Sequence, residues 1–286
     1  MQTHDIGASS LEVDGASLHY ELIGAGPLLL LMPGANGTGF LYQPLAAALS
    51  SQFEVVVYDR RGFGQSPILE AEDPDSPTLL RTQTVDASRL IEHLSPGRPV
   101  TVFACSGSGV MGIDLLQSRP DLVYQLVLHE PLLIAPLPEP LKSQIIAEYT
   151  NTILEYGKYS SSRLHRALMP LMQSKRDQFR LGQTHQFSRL QTLPGDHTGR
   201  FYQHELPQIF DYRPDPGILR RYRERIVLTK GAECAPRLSI ASVHTLAQAL
   251  DIPTVIVPGG HTSYVTDVEP FTKHVVSALR CATAKL

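Results

Sequence analysis

Short apolar segments alternate along the chain with longer amphipathic ones, and this alternation constrains the fold more than any other sequence feature. Several short segments are apolar at almost every position, notably residues 28–32, 54–58 and 100–104. A strand with this pattern is buried on both faces, which is typical of a parallel sheet covered by helices. Further strands are predicted at residues 17–22, 125–128, 226–229 and 254–257.

Helical patterns lie between these strands. They are predicted over residues 40–49, 79–94, 107–117, 240–250 and 270–281. The repetition of strand, helix and strand predicts an α/β fold, a doubly wound and mostly parallel sheet.

One region interrupts the rhythm, because residues 132–215 contain no convincing strand. Helical patterns at residues 142–156 and 162–172 and prolines at both ends predict a helical lid inserted between two strands. The expected division is a core of residues 1–131 and 216–286 and a lid of residues 132–215.

Composition limits the kinds of partner. The chain has 286 residues, 42% hydrophobic and 19% charged, and its net charge is −3. These values are typical of a globular protein and favour neither a nucleic-acid nor an anionic-membrane partner. The longest apolar run, residues 28–32, is far too short to cross a bilayer. We therefore expect a small-molecule substrate, and a homodimer is left open.

Cysteine usage and the two ends of the chain bear on the compartment. The three cysteines are far apart, at Cys105, Cys234 and Cys281. They predict neither a disulfide framework nor a zinc site, and they favour a reducing compartment. Residues 1–7 lack the apolar core of a signal peptide. We expect a cytoplasmic protein, with a peroxisomal location as the alternative because the last three residues vary the Ser-Lys-Leu address: Ala284, Lys285 and Leu286.

The strongest signal for chemistry follows the strand at residues 100–104. There the chain passes from an apolar strand through small residues into a helix. A nucleophile in such a tight turn needs small neighbours two positions before and after it. Around Ser106 these are Ala104 and Ser108, whereas Ser108 itself and Cys105 would each have a bulky neighbour. Ser106 is the predicted nucleophile, and an ordinary turn without chemistry is the alternative.

A glycine-rich loop follows the strand at residues 28–32. Glycine lets backbone N–H groups approach a reacting carbonyl and stabilise the negative oxygen that forms when serine attacks it. We predict N–H donors from Gly34 or Ala35 and from Gly107, where the helix after Ser106 begins. An ordinary turn is again the alternative.

Among eleven histidines, His261 stands apart. It follows the strand at residues 254–257, and loops after parallel strands converge at the carboxyl edge of the sheet. A histidine late in the chain, after the serine, has the order expected of the base, and a solvated loop histidine is the alternative. In the insertion, the spacing of His185, His197 and His204 matches no metal motif, so no metal is predicted.

The carboxylate that would orient His261 has more than one candidate. After the strand at residues 226–229, Cys234 stands where an aspartate is expected, beside Glu233. Glu130 directly follows the strand at residues 125–128, where a charge is costly unless it is paired. Glu130 is favoured, Glu233 is the alternative acid, and Asp267 ranks third.

Two further stretches resemble a known family. Residues 57–66, Val-Tyr-Asp-Arg-Arg-Gly-Phe-Gly-Gln-Ser, resemble the D-x-R-G-x-G-x-S stretch of α/β-hydrolases, and residues 258–264, Pro-Gly-Gly-His-Thr-Ser-Tyr, resemble their histidine loop. The motifs occur in the family's order over residues 18–279. The resemblance implies the α/β-hydrolase fold and a serine nucleophile.

A closer resemblance is to fungal lactonases that open zearalenone. It is carried by residues 104–109 (ACSGSG), 129–131 (HEP), 231–233 (GAE) and 258–265 (PGGHTSYV). In that group the acid is the glutamate after the strand that follows the elbow helix, so the resemblance implies Ser106, Glu130 and His261. The chain lacks the tryptophan of that group's lid, so the resemblance extends to the triad and not to the substrate.

These observations predict a serine hydrolase that cleaves an ester or lactone of an apolar, polyketide-like molecule without a cofactor. One alternative is a non-hydrolytic enzyme of secondary metabolism, catalysing a cyclisation or C–C cleavage on the same fold. Another is a ligand-binding protein with a vestigial triad. Turnover of a simple ester separates the two classes.

Overall fold

The sheet is continuous and has eight strands. The computed structural model describes residues 7–73, 76–158, 161–190, 192, 199–234 and 237–283. The strand order is β1-β2-β4-β3-β5-β6-β7-β8. The strands are β1 (Gly7–Val13), β2 (Ala16–Gly24), β3 (Leu28–Met32), β4 (Glu54–Tyr58), β5 (Val100–Cys105), β6 (Val123–His129), β7 (Ile226–Gly231) and β8 (Thr254–Val257).

Strand β2 runs antiparallel to β1 and β4, and every other neighbouring pair is parallel. The mostly parallel α/β sheet predicted from the sequence is therefore confirmed. The exposed edge strand β1 was not predicted, because its side chains are mostly in solvent and show no apolar pattern.

Helices cover both faces of the sheet. In chain order they are α1 (Gln43–Leu49), α2 (Leu79–Leu94), α3 (Ser108–Ser118), α4 (Leu141–Tyr156), α5 (Ser161–Met172), α6 (Lys175–Gly182), α7 (His185–Leu190), α8 (Leu206–Asp211), α9 (Pro216–Arg221), α10 (Arg237–Leu250), α11 (Ser263–Thr266) and α12 (Val268–Thr283). Shorter 3₁₀ turns occupy Gly39–Tyr42 and Arg223–Arg225, and a π-helical turn occupies Arg200–Glu205.

Successive residues of the central strands enter opposite cores. In β3, Leu28, Leu30 and Met32 pack with helices α2, α3 and α10, whereas Leu29 and Leu31 pack with α1 and α12. Side chains of a strand alternate between the two faces of a sheet. With both faces covered, nearly every position is apolar, which explains the short segments that are apolar at almost every position in the sequence.

The chain between β6 and β7 carries helices α4 to α9 and the π-helical turn. Apolar side chains of these elements continue the core that lies on the α2, α3 and α10 face, among them Ile145, Leu168, Phe201 and Ile209. This segment is called the insertion below. The boundaries predicted for a separate lid domain stay a prediction.

None of the helices in the described ranges is long and apolar enough to cross a membrane. The C-terminal tripeptide Ala284-Lys285-Leu286, on which the peroxisomal expectation depends, lies outside the described residues.

Candidate active site

Ser106 sits in a tight turn between β5 and α3. Its φ angle is 58°, in the left-handed region that favours glycine. The Ser106 N–H donates to the His129 carbonyl (3.2 Å), and the Ser106 carbonyl accepts from the Leu132 N–H (2.9 Å). The Ser106 hydroxyl is buried and, within the described part of the chain, has no hydrogen-bond partner. The backbone is fixed while the hydroxyl stays available.

Ser108 replaces the second glycine of the common elbow pattern without disturbing the turn. Its hydroxyl donates to the Met32 carbonyl (2.8 Å) and lies 3.0 Å from the Cys105 amide nitrogen, which donates to it. This side chain therefore ties the turn to β3. Helix α3 also lies close to β5, since a Cβ on Gly112 would come 3.0 Å from Ala104 Cβ.

Strained backbone marks this edge of the sheet. Among the described residues, three that are not glycine have a positive φ, namely Ser106 (58°), Glu130 (46°) and Asp251 (53°). Such conformations cost on the order of 1–3 kcal/mol each and are concentrated at functional sites. Two of the three are the predicted nucleophile and the favoured acid.

His261 and Glu130 form a buried pair. His261 Nδ1 lies 2.8 Å from Glu130 Oε2, and the exposed fractions of the two side chains are 5% and 0%. The other carboxylate oxygen, Oε1, accepts from the Gly231 N–H at 2.9 Å. The Cys234 thiol also lies within hydrogen-bonding reach of this carboxylate. A carboxylate held on both oxygens can fix the orientation of the imidazole.

Charge and burial shift both groups of this pair. Burial by itself would raise the pKa of Glu130, but the bond to His261 and the neighbouring imidazoles and amide outweigh it, and the pKa falls to about 2. Burial disfavours the imidazolium of His261, yet the hydrogen bond that His261 donates to Glu130 and the charges of Glu130 and Asp177 raise the pKa of His261. The geometry therefore favours an imidazole that can accept a proton.

His129 lies beside the pair and stays neutral. Its Nδ1 is 2.9 Å from Thr229 Oγ1, and its ring stacks at 6.3 Å on that of His261. Burial lowers the pKa of His129 to about 4. It therefore adds no competing positive charge next to Glu130 near neutral pH.

The other two predicted acids face elsewhere. Glu233 Oε2 lies 3.1 Å from Arg176 Nε on helix α6, and Asp267 is paired with Arg180 of the same helix at 2.8 Å. Neither carboxylate contacts His261, so the geometry favours Glu130 over both. The assignment of Glu130 as the acid stays a prediction.

The glycine-rich loop after β3 lies against the Ser106 turn. A Cβ on Gly34 would come 3.0 Å from the Cys105 carbonyl oxygen and 3.7 Å from Ser106 Cβ. The Gly34 N–H, however, donates to the Tyr42 hydroxyl at 3.3 Å. Gly34 and Ala35 were the alternative oxyanion donors predicted in this loop. Because the Gly34 N–H is bonded to Tyr42, the Ala35 N–H stays the predicted donor.

Gly107, the other predicted donor, lies under the insertion. A Cβ there would come 2.9 Å from the Phe201 ring and 3.3 Å from Ile209 Cδ1. Apolar side chains of the insertion therefore pack directly against the Ser106 turn.

A buried ion pair links the glycine-rich loop to the insertion. Arg60 NH1 lies 2.8 Å from Glu205 Oε2, both side chains are 0% exposed, and Arg60 NH2 donates to the Gly34 carbonyl at 2.9 Å. The pair thus holds the Gly34 backbone from one side while Tyr42 holds it from the other.

Replacing Glu205 with glutamine should lower the free energy of unfolding by about 3 kcal/mol, because it leaves the Arg60 guanidinium buried without a counter-charge. Urea denaturation followed by circular dichroism measures this. The control is Glu92→Gln, which breaks a partly exposed pair with Arg119 and should cost less than about 1 kcal/mol. Equal losses in the two variants would contradict the prediction.

Within the described residues, the histidines of the insertion form no metal-ligand cluster. His185 begins α7 and packs its ring against Phe40, and His204 lies in the π-helical turn, while His197 lies outside the described residues. Within the ranges that the structure describes, no three His, Cys, Asp or Glu side chains are arranged to hold a metal ion.

The fold and this constellation define a class of protein, the α/β enzymes with a serine on a strand-to-helix turn and a histidine–carboxylate pair at the same sheet edge. Residues 29–272 match the sequence model of the Alpha/beta hydrolase family. The chain belongs to this family and is a hydrolase.

Relatives agree with this assignment. The chain is 25% identical over 274 residues to the Bacillus subtilis (strain 168) protein called uncharacterized hydrolase YraK, covering 94% of this chain and 95% of that one. It is also similar in structure to a hydrolase from Pseudomonas aeruginosa PA01, with a TM-score of 0.71, 22% identity and coverage of 95% and 98%. The enol-lactonase from Burkholderia xenovorans LB400 gives a TM-score of 0.71, 21% identity and coverage of 95% and 100%.

Some residues at this site have no clear sequence signal. Tyr42 and Arg60 hold the glycine-rich loop, and Asp177 holds the backbone next to His261. Ser174 and Asp177 do fit the S-x-x-D pattern that begins a helix. That pattern predicts the start of α6 and says nothing about what the Asp177 carboxylate contacts.

Proposed function

We propose that the protein is a serine hydrolase that cleaves an ester or lactone of an apolar small molecule through an acyl-enzyme. The observation that carries the proposal is the buried Glu130–His261 pair, which lies at the same sheet edge as a serine whose hydroxyl is unpaired among the described residues. Family membership adds support, because it makes hydrolysis the reaction to expect.

In the first step His261 takes the Ser106 hydroxyl proton while the oxygen attacks the substrate carbonyl carbon. The N–H groups of Ala35 and Gly107 donate to the oxygen that becomes negative. Glu130 keeps the imidazole in the required tautomer and stabilises its protonated form. The C–O bond to the leaving group breaks, and His261 returns the proton to the leaving oxygen.

In the second step water hydrolyses the acyl-enzyme. His261 accepts a proton from the water as its oxygen attacks the ester carbonyl at Ser106, and it then protonates Ser106 when that bond breaks. The balance of atoms is one water consumed and one carboxylic acid formed. For a lactone, the acid and the alcohol stay in one molecule.

The apolar character of the substrate is inferred from the insertion. Phe201 and Ile209 are fully buried next to Gly107, and Leu133 and Leu168 belong to the same apolar cluster. A small-molecule site enclosed by apolar side chains with a few polar groups suits an apolar acyl or aryl portion. The enol-lactonase neighbour and the zearalenone-lactonase resemblance make a lactone a reasonable first substrate to try.

A series of p-nitrophenyl esters from acetate to octanoate tests the proposal. We expect a burst of nitrophenol equal to the enzyme concentration, and kcat/KM rising by up to about fourfold per methylene, since each buried methylene is worth about 0.8 kcal/mol. An aryl lactone such as dihydrocoumarin should also be opened. The matched variants are Phe201→Ala, which should flatten the chain-length dependence, and Phe179→Ala, whose ring is 70% exposed and should not matter.

Absence of turnover on every ester and lactone, with saturable binding of an apolar ligand, would contradict the hydrolase proposal and favour the ligand-binding class. A rate that falls as the acyl chain lengthens would contradict the apolar substrate while leaving hydrolysis intact.

A further inference from the structure

Asp177, which comes from the insertion, bonds directly to the loop that carries His261. Its carboxylate accepts from the Thr262 hydroxyl (2.8 Å) and from the Thr262 backbone N–H, which lies 3.3 and 3.2 Å from its two oxygens. The Asp177 residue is 3% exposed. A buried carboxylate is stable only where hydrogen bonds or charges replace the lost water, and here the residue after His261 supplies them.

Gly260, the residue before His261, packs closely against the same carboxylate. A Cβ on Gly260 would come 2.9 Å from Asp177 Cγ and 3.0 Å from Oδ1. Asp177 therefore contacts the backbone on both sides of His261. Because Gly260 does not have a positive φ, a side chain at this position would be excluded by the carboxylate and not by its own backbone.

The carboxylate is turned away from its own helix. Ser174 accepts from the Asp177 N–H at 3.1 Å, as an N-cap does. In the usual reciprocal arrangement the acidic side chain reaches back to the N-cap N–H. Here it bonds to Thr262 instead, so the helix start is built to present the carboxylate to another loop.

The charge of Asp177 also acts on His261. The titratable groups that face His261 are Glu130 and His129 at the end of β6, the thiol of Cys105 at the end of β5, and Asp177 from α6. Asp177 stabilises the imidazolium, and burial raises the pKa of Asp177 itself while His261 opposes that rise. The charges of two carboxylates from different segments thus act on one histidine, although only Glu130 bonds to it.

We propose that Asp177 is a positioning residue that holds the His261 loop in place and adds a second negative charge near the imidazole. Through Asp177 the insertion helps to fix the position of His261 and the charge around it. The proposal rests on the hydrolase function proposed above. It predicts an effect on kcat and on the pH profile, with little effect on KM, because Asp177 contacts the loop backbone and not the substrate.

The test compares Asp177→Asn with Arg180→Gln. Asparagine keeps an acceptor for Thr262 and removes the charge. Arg180→Gln removes the ion pairs of Arg180 with Asp267 and Glu233 from the same helix and leaves the Asp177–Thr262 hydrogen bonds in place. For Asp177→Asn we expect kcat to fall by about 10- to 100-fold. The acid limb of kcat/KM should move to lower pH. His261 acts as a base when it is neutral, and removing the negative charge of Asp177 lowers the pKa of His261. Arg180→Gln should leave both unchanged.

Gly260→Ala tests the same contact from the other side, and it should lower kcat like Asp177→Asn while the charge stays in place. Circular dichroism checks the fold of each variant. The rate at which a fluorophosphonate labels Ser106 gives a second pH profile that requires no substrate.

Equal losses in Asp177→Asn and Arg180→Gln, or an unmoved acid limb in Asp177→Asn, would overturn the proposal and leave Asp177 a structural residue. If wild type neither turns over esters nor labels at Ser106, the hydrolase function fails and this inference fails with it. That outcome is distinct from an active wild type with unaffected Asp177 variants, which would overturn the inference alone.

Discussion

Replacing Ser106 with alanine should lower the kcat for ester hydrolysis by about 10⁴-fold or more, while the protein remains folded. The reason is that the attack on the carbonyl needs the Ser106 hydroxyl, and alanine has no nucleophilic atom at this position. Steady-state assays with p-nitrophenyl butyrate measure the loss, and mass spectrometry of the fluorophosphonate-treated wild type should place the adduct on Ser106.

The neighbouring thiol provides the control. Cys105 is fully buried, its Sγ lies 3.9 Å from the His261 carbonyl oxygen, and burial together with the charge of Glu130 raises the pKa of the thiol well above its usual value. A thiol that stays protonated is a poor nucleophile. Cys105→Ala should therefore keep activity within about tenfold of wild type. An inactive Cys105→Ala together with an active Ser106→Ala would instead identify Cys105 as the nucleophile.

Glu130→Gln should lower kcat by about 10³- to 10⁴-fold, a loss typical of removing the acid behind a catalytic histidine. Glutamine keeps the volume and one carbonyl acceptor, but it removes the charge that stabilises the imidazolium and can present an amide donor to His261 Nδ1. The pKa of His261 should also fall, so the residual activity should persist to lower pH than in wild type. A kcat/KM profile from pH 4 to 9 measures both effects.

Glu233→Gln is the matched control for the acid. Glu233 is paired with Arg176 on a partly exposed surface and makes no contact with His261, so we expect activity within about threefold, as for surface ion pairs generally. A large loss in Glu233→Gln with an active Glu130→Gln would make Glu233 the acid.

Much of the sheet edge could be predicted because strand ends are local features. Ser106 and Glu130 each follow a strand directly, and the register pairs Cys105 with His129, so their successors must lie close together. The largely apolar sequences of β3 and β5 predicted burial on both faces. The edge strand β1 and the bounds of helices such as α6 could not be predicted, because they have little apolar pattern of their own.

Contacts made across long sequence separations could not be predicted in the same way. Asp177 and Thr262 are 85 residues apart, and Arg60 and Glu205 are 145 residues apart. A charged residue in an amphipathic helix is usually exposed to solvent, and only its burial in the folded protein shows that it is paired. Likewise, no sequence feature indicates that the Gly34 N–H is already bonded. Its acceptor is the Tyr42 hydroxyl, and nothing in the local sequence predicts that contact.

The buried Arg60–Glu205 pair has a consequence for exchanging insertions between relatives. Arg60 belongs to the core and Glu205 to the insertion. The two fully buried side chains form an ion pair, and Arg200 of the insertion lies 3.9 Å from the other Glu205 oxygen. A grafted insertion with an apolar residue at position 205 would leave a buried cation beside the Gly34 loop, whereas a graft made together with Arg60→Met would not. Positions 60 and 205 should therefore be exchanged together. A chimeric enzyme should keep both charged residues or replace both of them.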